Sequence, residues 1–435
     1  MSPLTRLLLG SVFVVPLAAG VACSSSAPEA ESTASSEVTS VENTSVKSQA
    51  IANCWLYATA GWVESLHKGA TTRDIDVSEA YWNYWYWYEQ ITGGEVTLGT
   101  AAQTGPAVAQ GGWWGLAVEI IQRYGWMYQG DFIPDADAKA ARHAEAVRAL
   151  DDSLASGALK SPESRKDPKL VRQELSRAWK LGASVVADIE KIFGGTRRSI
   201  TARATQGGLG ITRIHAPQEL PVLGADGTRT VTLADVVGTM APGTTPRDGS
   251  RIGPEAWTEM RYAWTADDNG HLRRKAMLKN LQHVLNRRLA IPFAWWVSST
   301  AQAGQYVGAR VTDSSIYGIH ESILVDYEID DVPGYGTLRV DERETRPAAL
   351  AASLDDRARL KFFRIKNSWG METGLSQLAD AGTKTKPEYL PSKPGFNDLW
   401  TDYVDRERAW GDAADGHMLI KVALPPGLRF EIPAP

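Results

Sequence analysis

Two cysteines, Cys23 and Cys54, are all that this 435-residue chain contains. Disulfide scaffolds and cysteine-built zinc sites both need cysteines in sets, so neither is an option here. Positive charge is also short: Lys and Arg number 46 against 51 acidic residues, and the net charge is −5. With no basic stripe anywhere in the sequence, nucleic acid is excluded as a partner. No segment has the roughly 18 uninterrupted apolar residues that a membrane helix requires. Only seven histidines are present, and they are scattered, so no metal and no organic cofactor is implied. What remains is 43% apolar and 22% charged, an ordinary composition for a chain that can bury a core.

The amino terminus reads as an export signal over residues 1–22. Arg6 supplies the positive end, and an apolar stretch from Leu7 to Val15 runs on to small residues. The sequence Ala19-Gly20-Val21-Ala22-Cys23 resembles a bacterial lipoprotein box, with Gly20 where a larger aliphatic residue is usual. Lipidation at Cys23, with a membrane as partner through that lipid, is the expectation, and secretion without a lipid is the alternative. Residues 23–47 are rich in Ser, Thr, Glu and Ala, too poor in apolar side chains to offset the entropy of ordering, and read as a flexible linker.

Beyond this tether the apolar residues become periodic. Helices are predicted over 54–66, with Asn53 as its cap, over 78–91, with Ser78 as its cap, over 114–124, ending at Gly125, and over 273–288. Short runs at 291–297, 322–327, 337–340, 361–366 and 417–422 are of β type and are bounded by Gly, Pro or Asp. Three regions follow: a helical lobe at 48–130, a partly helical insertion at 131–272, and a β-rich lobe at 273–435. The fold class is α+β.

Cys54 stands at the first turn of its predicted helix, where unpaired amides and the positive dipole end favour an anion and hence a thiolate. Alone, a single cysteine is as well explained as a small buried hydrophobe. Its surroundings change that balance. The segment SQAIANCWLYATAGWVESL resembles the nucleophile segment of the papain-like cysteine peptidases, in which a Cys-Trp pair opens a long central helix. Tyr317-Gly318-Ile319-His320-Glu321-Ser322 and the aliphatic residues after it are similar to that family's His-bearing strand, and Lys366-Asn367-Ser368-Trp369-Gly370 to its Asn element.

The resemblance implies a two-lobe fold with a barrel-like β lobe, and a Cys54, His320, Asn367 triad in which sulfur attacks, imidazole carries the proton and the amide oxygen orients it. It implies that Trp369 shields the His-Asn contact. The oxyanion hole would be the Cys54 amide and Gln49, although the family's glutamine lies one residue further upstream, where this chain has Ser48. Gly111-Gly112-Trp113 resembles the segment that lines the substrate cleft, where bare backbone lets an extended peptide approach. The aromatic run after Val77-Ser78-Glu79 and the Leu399-Trp400-Thr401-Asp402-Tyr403 segment point to the bleomycin hydrolase and aminopeptidase C branch. Peptides or proteins are then the substrates, cleaved through a thioester. Export and the short carboxy-terminal tail depart from that branch, so neither its oligomeric state nor its exopeptidase preference carries over.

Two other functions fit parts of the sequence. The 16 tryptophans could form an aromatic binding surface on an inactive homologue, and the same Cys-His pair could serve an acyl or γ-glutamyl transferase with an amine as acceptor. The remaining histidines, His143 among them, read as surface or packing residues.

Overall fold

The first helix begins at Cys54, as its apolar spacing requires, and continues past the predicted end to Thr71. In the computed structural model the described residues are 41–93, 107–135, 139–195, 200, 212–244, 250–261, 270–298, 302–303, 306–307, 316–371, 393–404 and 419–427. The export signal at 1–22, Cys23 and the linker up to residue 40 lie outside them, as does His417. No helix among the described residues is long and apolar enough to cross a membrane. All of them belong to one compact unit, Ser36–Pro435.

Three helices form the amino-terminal layer: α1 (Cys54–Thr71), α2 (Glu79–Thr92) and α3 (Trp114–Tyr124). Ser78 caps α2 as predicted, its hydroxyl accepting the Tyr81 N–H at 3.1 Å. Every residue of α2 is buried, so its aromatic side chains are core and present no ligand surface. Trp85 lies flat on Tyr124 of α3, 3.9 Å between centroids. Two of the indole N–H groups bond to backbone: Trp82 Nε1 donates to the Gly125 carbonyl at 3.0 Å and Trp87 Nε1 to that of Ala109 at 3.1 Å.

The predicted insertion carries α4 (Lys139–Ala155) and, among its further helices, Pro168–Ala178 and Ala183–Phe193. They join the same core. Trp179 stacks on Trp87 of α2 at 5.4 Å, and Arg172 bridges to Glu190 at 2.7 Å. Short hairpins follow, Pro221–Leu223 with Thr230–Thr232 and Thr239–Met240 with Arg251–Ile252.

The second layer is a nine-stranded sheet of β1 (Thr258–Arg261), β2 (Ile291–Ser298), β3 (Gln302–Ala303), β4 (Tyr306–Val307), β5 (Ile316–Val332), β6 (Gly336–Leu338), β7 (Arg359–Lys366), β8 (Phe396–Trp400) and β9 (Leu419–Leu424). Its order is β1-β9-β2-β5-β7-β8-β4-β3, with β6 also on β5. All pairs are antiparallel except β8 with β4. The central strand β5 is far longer than the six residues predicted at 322–327, because Gly318, His320 and Glu321 on one side and Glu328, Asp330 and Asp331 on the other interrupt the continuous apolar run. Helix α1 lies across β5 at Gly61, where an added Cβ would sit 3.1 Å from Ile323 Cδ1. Absence of a side chain there lets the helix approach the strand closely. That approach sets the distance between the helix carrying Cys54 and the strand carrying His320.

Candidate active site

His320 is the fifth residue of β5, opposite Trp295 of β2, and is 5% exposed. Its Nε2 lies 2.7 Å from Asn367 Oδ1. Asn367 follows directly on β7, with its amide N–H donating to the Gly395 carbonyl at 3.0 Å. The same Oδ1 accepts the Ser368 backbone N–H at 2.8 Å, and Asn367 Nδ2 donates to Asn397 Oδ1 at 2.9 Å. A backbone N–H can only donate, so the atom it meets is the oxygen, and His320 Nε2 must be the protonated nitrogen. Nδ1 is then the basic nitrogen of the ring. The Trp369 ring lies 4.6 Å from the imidazole and tilted by 33°.

Cys54 is half-buried at the start of α1. Burial pushes its thiol up to about 12, and the Glu321 carboxylate adds to this, while hydrogen bonds from the amides of Glu321, Trp55 and Cys54 pull the other way. The depressed thiol expected of a helix start is therefore overturned: desolvation outweighs the dipole. Burial likewise pushes His320 down to about 4 against the opposing hydrogen bond with Asn367. Both shifts favour the uncharged forms, thiol and imidazole. The Glu321 amide that meets the sulfur belongs to the residue after His320, which places Cys54 beside this stretch of β5.

Asn53, predicted to cap α1, makes no side-chain cap. Its Nδ2 instead lies 3.1 Å from Nδ1 of His143 on α4, a histidine that the sequence had assigned to surface or packing. Gln49 is drawn to the Asn element: its backbone N–H donates to the Ser368 carbonyl at 2.8 Å, and the Ser368 hydroxyl donates to its Oε1 at 2.5 Å. Gln49 Nε2 donates to the Ile51 carbonyl at 3.0 Å. Ser48 pairs with Trp369 in an isolated bridge.

The Gly-Gly segment is fixed from two sides. Trp55 Nε1 donates to the Gln110 carbonyl at 3.0 Å, and Gln110 Oε1 accepts the Ala52 N–H at 2.9 Å. From α2, the Tyr86 hydroxyl donates to the Gly111 carbonyl. A Cβ on Gly112 would meet the Trp55 ring at 2.5 Å, whereas one on Gly111 would meet nothing within 4 Å. Gly112 is therefore required by packing, and Gly111 is exposed with open space where a side chain would stand. Trp113 holds its ring 5.8 Å from Lys421 Nζ.

Sequence reasoning missed Glu321. It is a buried carboxyl raised well above the ordinary range by desolvation and then by Glu259, with Lys421 and the Trp114 amide opposing. Lys421 pairs with Glu259 at 2.9 Å. The available signal was an acidic residue inside an otherwise aliphatic strand, directly after the histidine. Glu321→Gln removes an acid whose ionised form opposes a thiolate beside it, so the thiol pKa should fall. Alkylation of Cys54 by iodoacetamide at pH 8 should then accelerate by up to about tenfold, one pKa unit being a factor of ten. An unmoved or upward-shifted pH profile would show that this charge does not reach the sulfur. Asn397 was also missed, because a second asparagine 30 positions away from Asn367 carries no local pattern.

On residues and geometry together, the chain resembles the papain-like cysteine peptidases. No protein-family model and no curated protein matches it. Among solved structures it is similar to pepw from Lactobacillus rhamnosis HN001, at 12% identity and a TM-score of 0.38, covering 91% of this chain and 82% of that one. It is also similar to the bromelain protease from Ananas comosus in complex with the E64 inhibitor, at 13% identity and 0.30, covering 88% and 93%. A third is xylellain, a cysteine protease from Xylella fastidiosa, at 11% identity and 0.33, covering 89% and 87%. Likenesses of this size carry no functional weight, which rests on the site itself.

Proposed function

We propose that this chain is a cysteine peptidase acting through Cys54, His320 and Asn367. The observation that carries the reading is the 2.7 Å contact between His320 Nε2 and Asn367 Oδ1, on a strand whose next amide faces the Cys54 sulfur. That contact fixes the tautomer and leaves Nδ1 as the base. An extended peptide would lie along Gly111 and Trp113, with its scissile carbonyl over Cys54. As sulfur attacks the carbonyl carbon, the thiol proton passes to His320 Nδ1, and the imidazolium so formed is held by Asn367. The oxyanion would be met by the Cys54 amide and the second hydrogen of Gln49 Nε2. The imidazolium then gives its proton to the leaving amine, which departs and leaves a thioester. Water, deprotonated by the same nitrogen, attacks the thioester, the carboxylic acid is released, and the thiol is restored.

Neutral partners in the resting state mean that proton transfer accompanies attack, with no standing ion pair. Support for export and lipidation is the sequence of residues 1–23; metabolic labelling with palmitate, lost on Cys23→Ser, tests it. The peptidase reading is tested with an epoxide or another thiol-directed warhead. Modification should map to Cys54 at one equivalent and extinguish turnover of dipeptide or protein substrates. Turnover that survives complete modification of Cys54 would end the proposal.

A further inference from the structure

The insertion reaches the nucleophile through one side chain. His143, on α4, is fully buried and packs edge-on against Trp179 at 5.0 Å, with Tyr57 of α1 at 6.1 Å. Its Nδ1 meets the amide of Asn53, the residue immediately before Cys54. Asn53 is itself completely buried, and its Oδ1 has no hydrogen-bond partner among the described residues. That oxygen is the atom with which an asparagine in this position caps a helix, by accepting the amide N–H of the second or third residue, here Trp55 or Leu56. The Leu56 N–H already donates to the Asn53 carbonyl at 3.0 Å, so the Trp55 N–H is the donor a side-chain cap would take, and a stranded buried acceptor beside it is costly and calls for an explanation. At the start of α2 the equivalent donor is capped by Ser78, so the chain has no general aversion to caps.

We propose that His143 is a positioning residue for the nucleophile: it holds the Asn53 side chain away from the first turn of α1, so that the Trp55 amide stays directed at the Cys54 sulfur. The local donors are the Trp55, Cys54 and Glu321 amides. With the Asn53 amide engaged by the imidazole, none of them is taken by a cap. The titratable group that acts on the sulfur is Glu321; it, its own partners Glu259 and Lys421, and His320 come from other elements and are untouched by the arrangement. The inference rests on Cys54 being the nucleophile.

The test reads the thiol directly. His143→Phe keeps a ring between Tyr57 and Trp179 but offers Asn53 no nitrogen. Asn53 should then turn onto the helix, and iodoacetamide alkylation of Cys54 at pH 8 should slow by about tenfold as its pH profile moves up by about one unit. The double variant Asn53→Ala with His143→Phe has no amide left to cap and should recover the wild-type profile. Asn53→Ala alone should also alkylate at the wild-type rate, which keeps the proposal testable if His143→Phe fails to fold. An unchanged profile in His143→Phe, a double variant as slow as His143→Phe, or a slow Asn53→Ala protein would each overturn it. Failure of the peptidase reading shows differently: alkylation of wild-type Cys54 would then be indifferent to His320→Ala, whatever the Asn53 and His143 variants do.

Discussion

Cys54→Ala is expected to abolish peptide hydrolysis, with a loss on the order of 10⁶-fold, the size seen when the nucleophile of a catalytic triad is deleted. His320→Ala should cost a comparable factor, and the double variant little more than either, because sulfur and base act as a unit and their deletions do not add. Both variants should fold. Cys54 is half-buried and small, and the layers around it are held by Trp55, Trp62, Ile323 and Leu324. The measurements are kcat/KM on a peptide substrate together with thermal unfolding. Full activity in Cys54→Ala would show that the sulfur is not the nucleophile. Additive losses in the double variant would show that the histidine does not act on it.

Lys47→Met should have the largest effect on stability. The Lys47 ammonium meets Glu64 at 2.5 Å, Glu79 at 2.6 Å and Asp76 at 2.8 Å, and donates to the Val77 carbonyl at 3.0 Å. Glu64 and Glu79 are fully buried. Burial by itself would lower the lysine, but the three carboxylates outweigh it and hold the pKa well above the ordinary value. A lysine raised on folding stabilises at every pH below its unfolded value, and that contribution is lost only as pH rises through the folded one, so the cluster is intact across the physiological range. Methionine fills much of the same volume but takes the shared ammonium from two buried carboxylates, and breaking a buried pair in this way costs about 3–5 kcal/mol. Lys366, which burial pushes down to about 8, is committed to the Thr44 hydroxyl at 3.0 Å. Denaturant unfolding measures the loss. A midpoint equal to the wild type would mean that the carboxylates relax to solvent or take up protons at no cost.

The parts of this molecule that were readable in advance are those governed by local chemistry. Ser78 caps α2 because a hydroxyl three residues before Tyr81 has no better partner, and α3 stops at Gly125, whose φ of 74° favours glycine. Cys54, His320 and Asn367 were legible because each sits in a run of neighbours with its own pattern. Asn53 obeyed the same capping rule on paper and failed it in space. A histidine 90 residues away took its side chain, and no sequence window reaches that far. Glu321 was hidden for the opposite reason: an acidic residue in a strand reads as its exposed edge, and only the positions of Glu259, Lys421 and Trp114 show it facing inward. The thiol was misjudged because a helix start is visible in a sequence and desolvation is not.

The residues around Gln49 join ends of the chain that are made far apart in time. Ser368 bonds to Gln49 across 319 positions, and Lys366 to Thr44 across 322, while the Val41 N–H donates to the Val325 carbonyl at 2.9 Å. Contacts this remote in sequence form late in folding, since most of the polymer must be ordered before they become favourable. A ribosome-bound polypeptide therefore holds Cys54 and Gln49 before the strand of His320 exists to complete them. On the proposed function, activity arrives only once His320 and Asn367 have been synthesised, so the growing polypeptide stays inert through most of its synthesis.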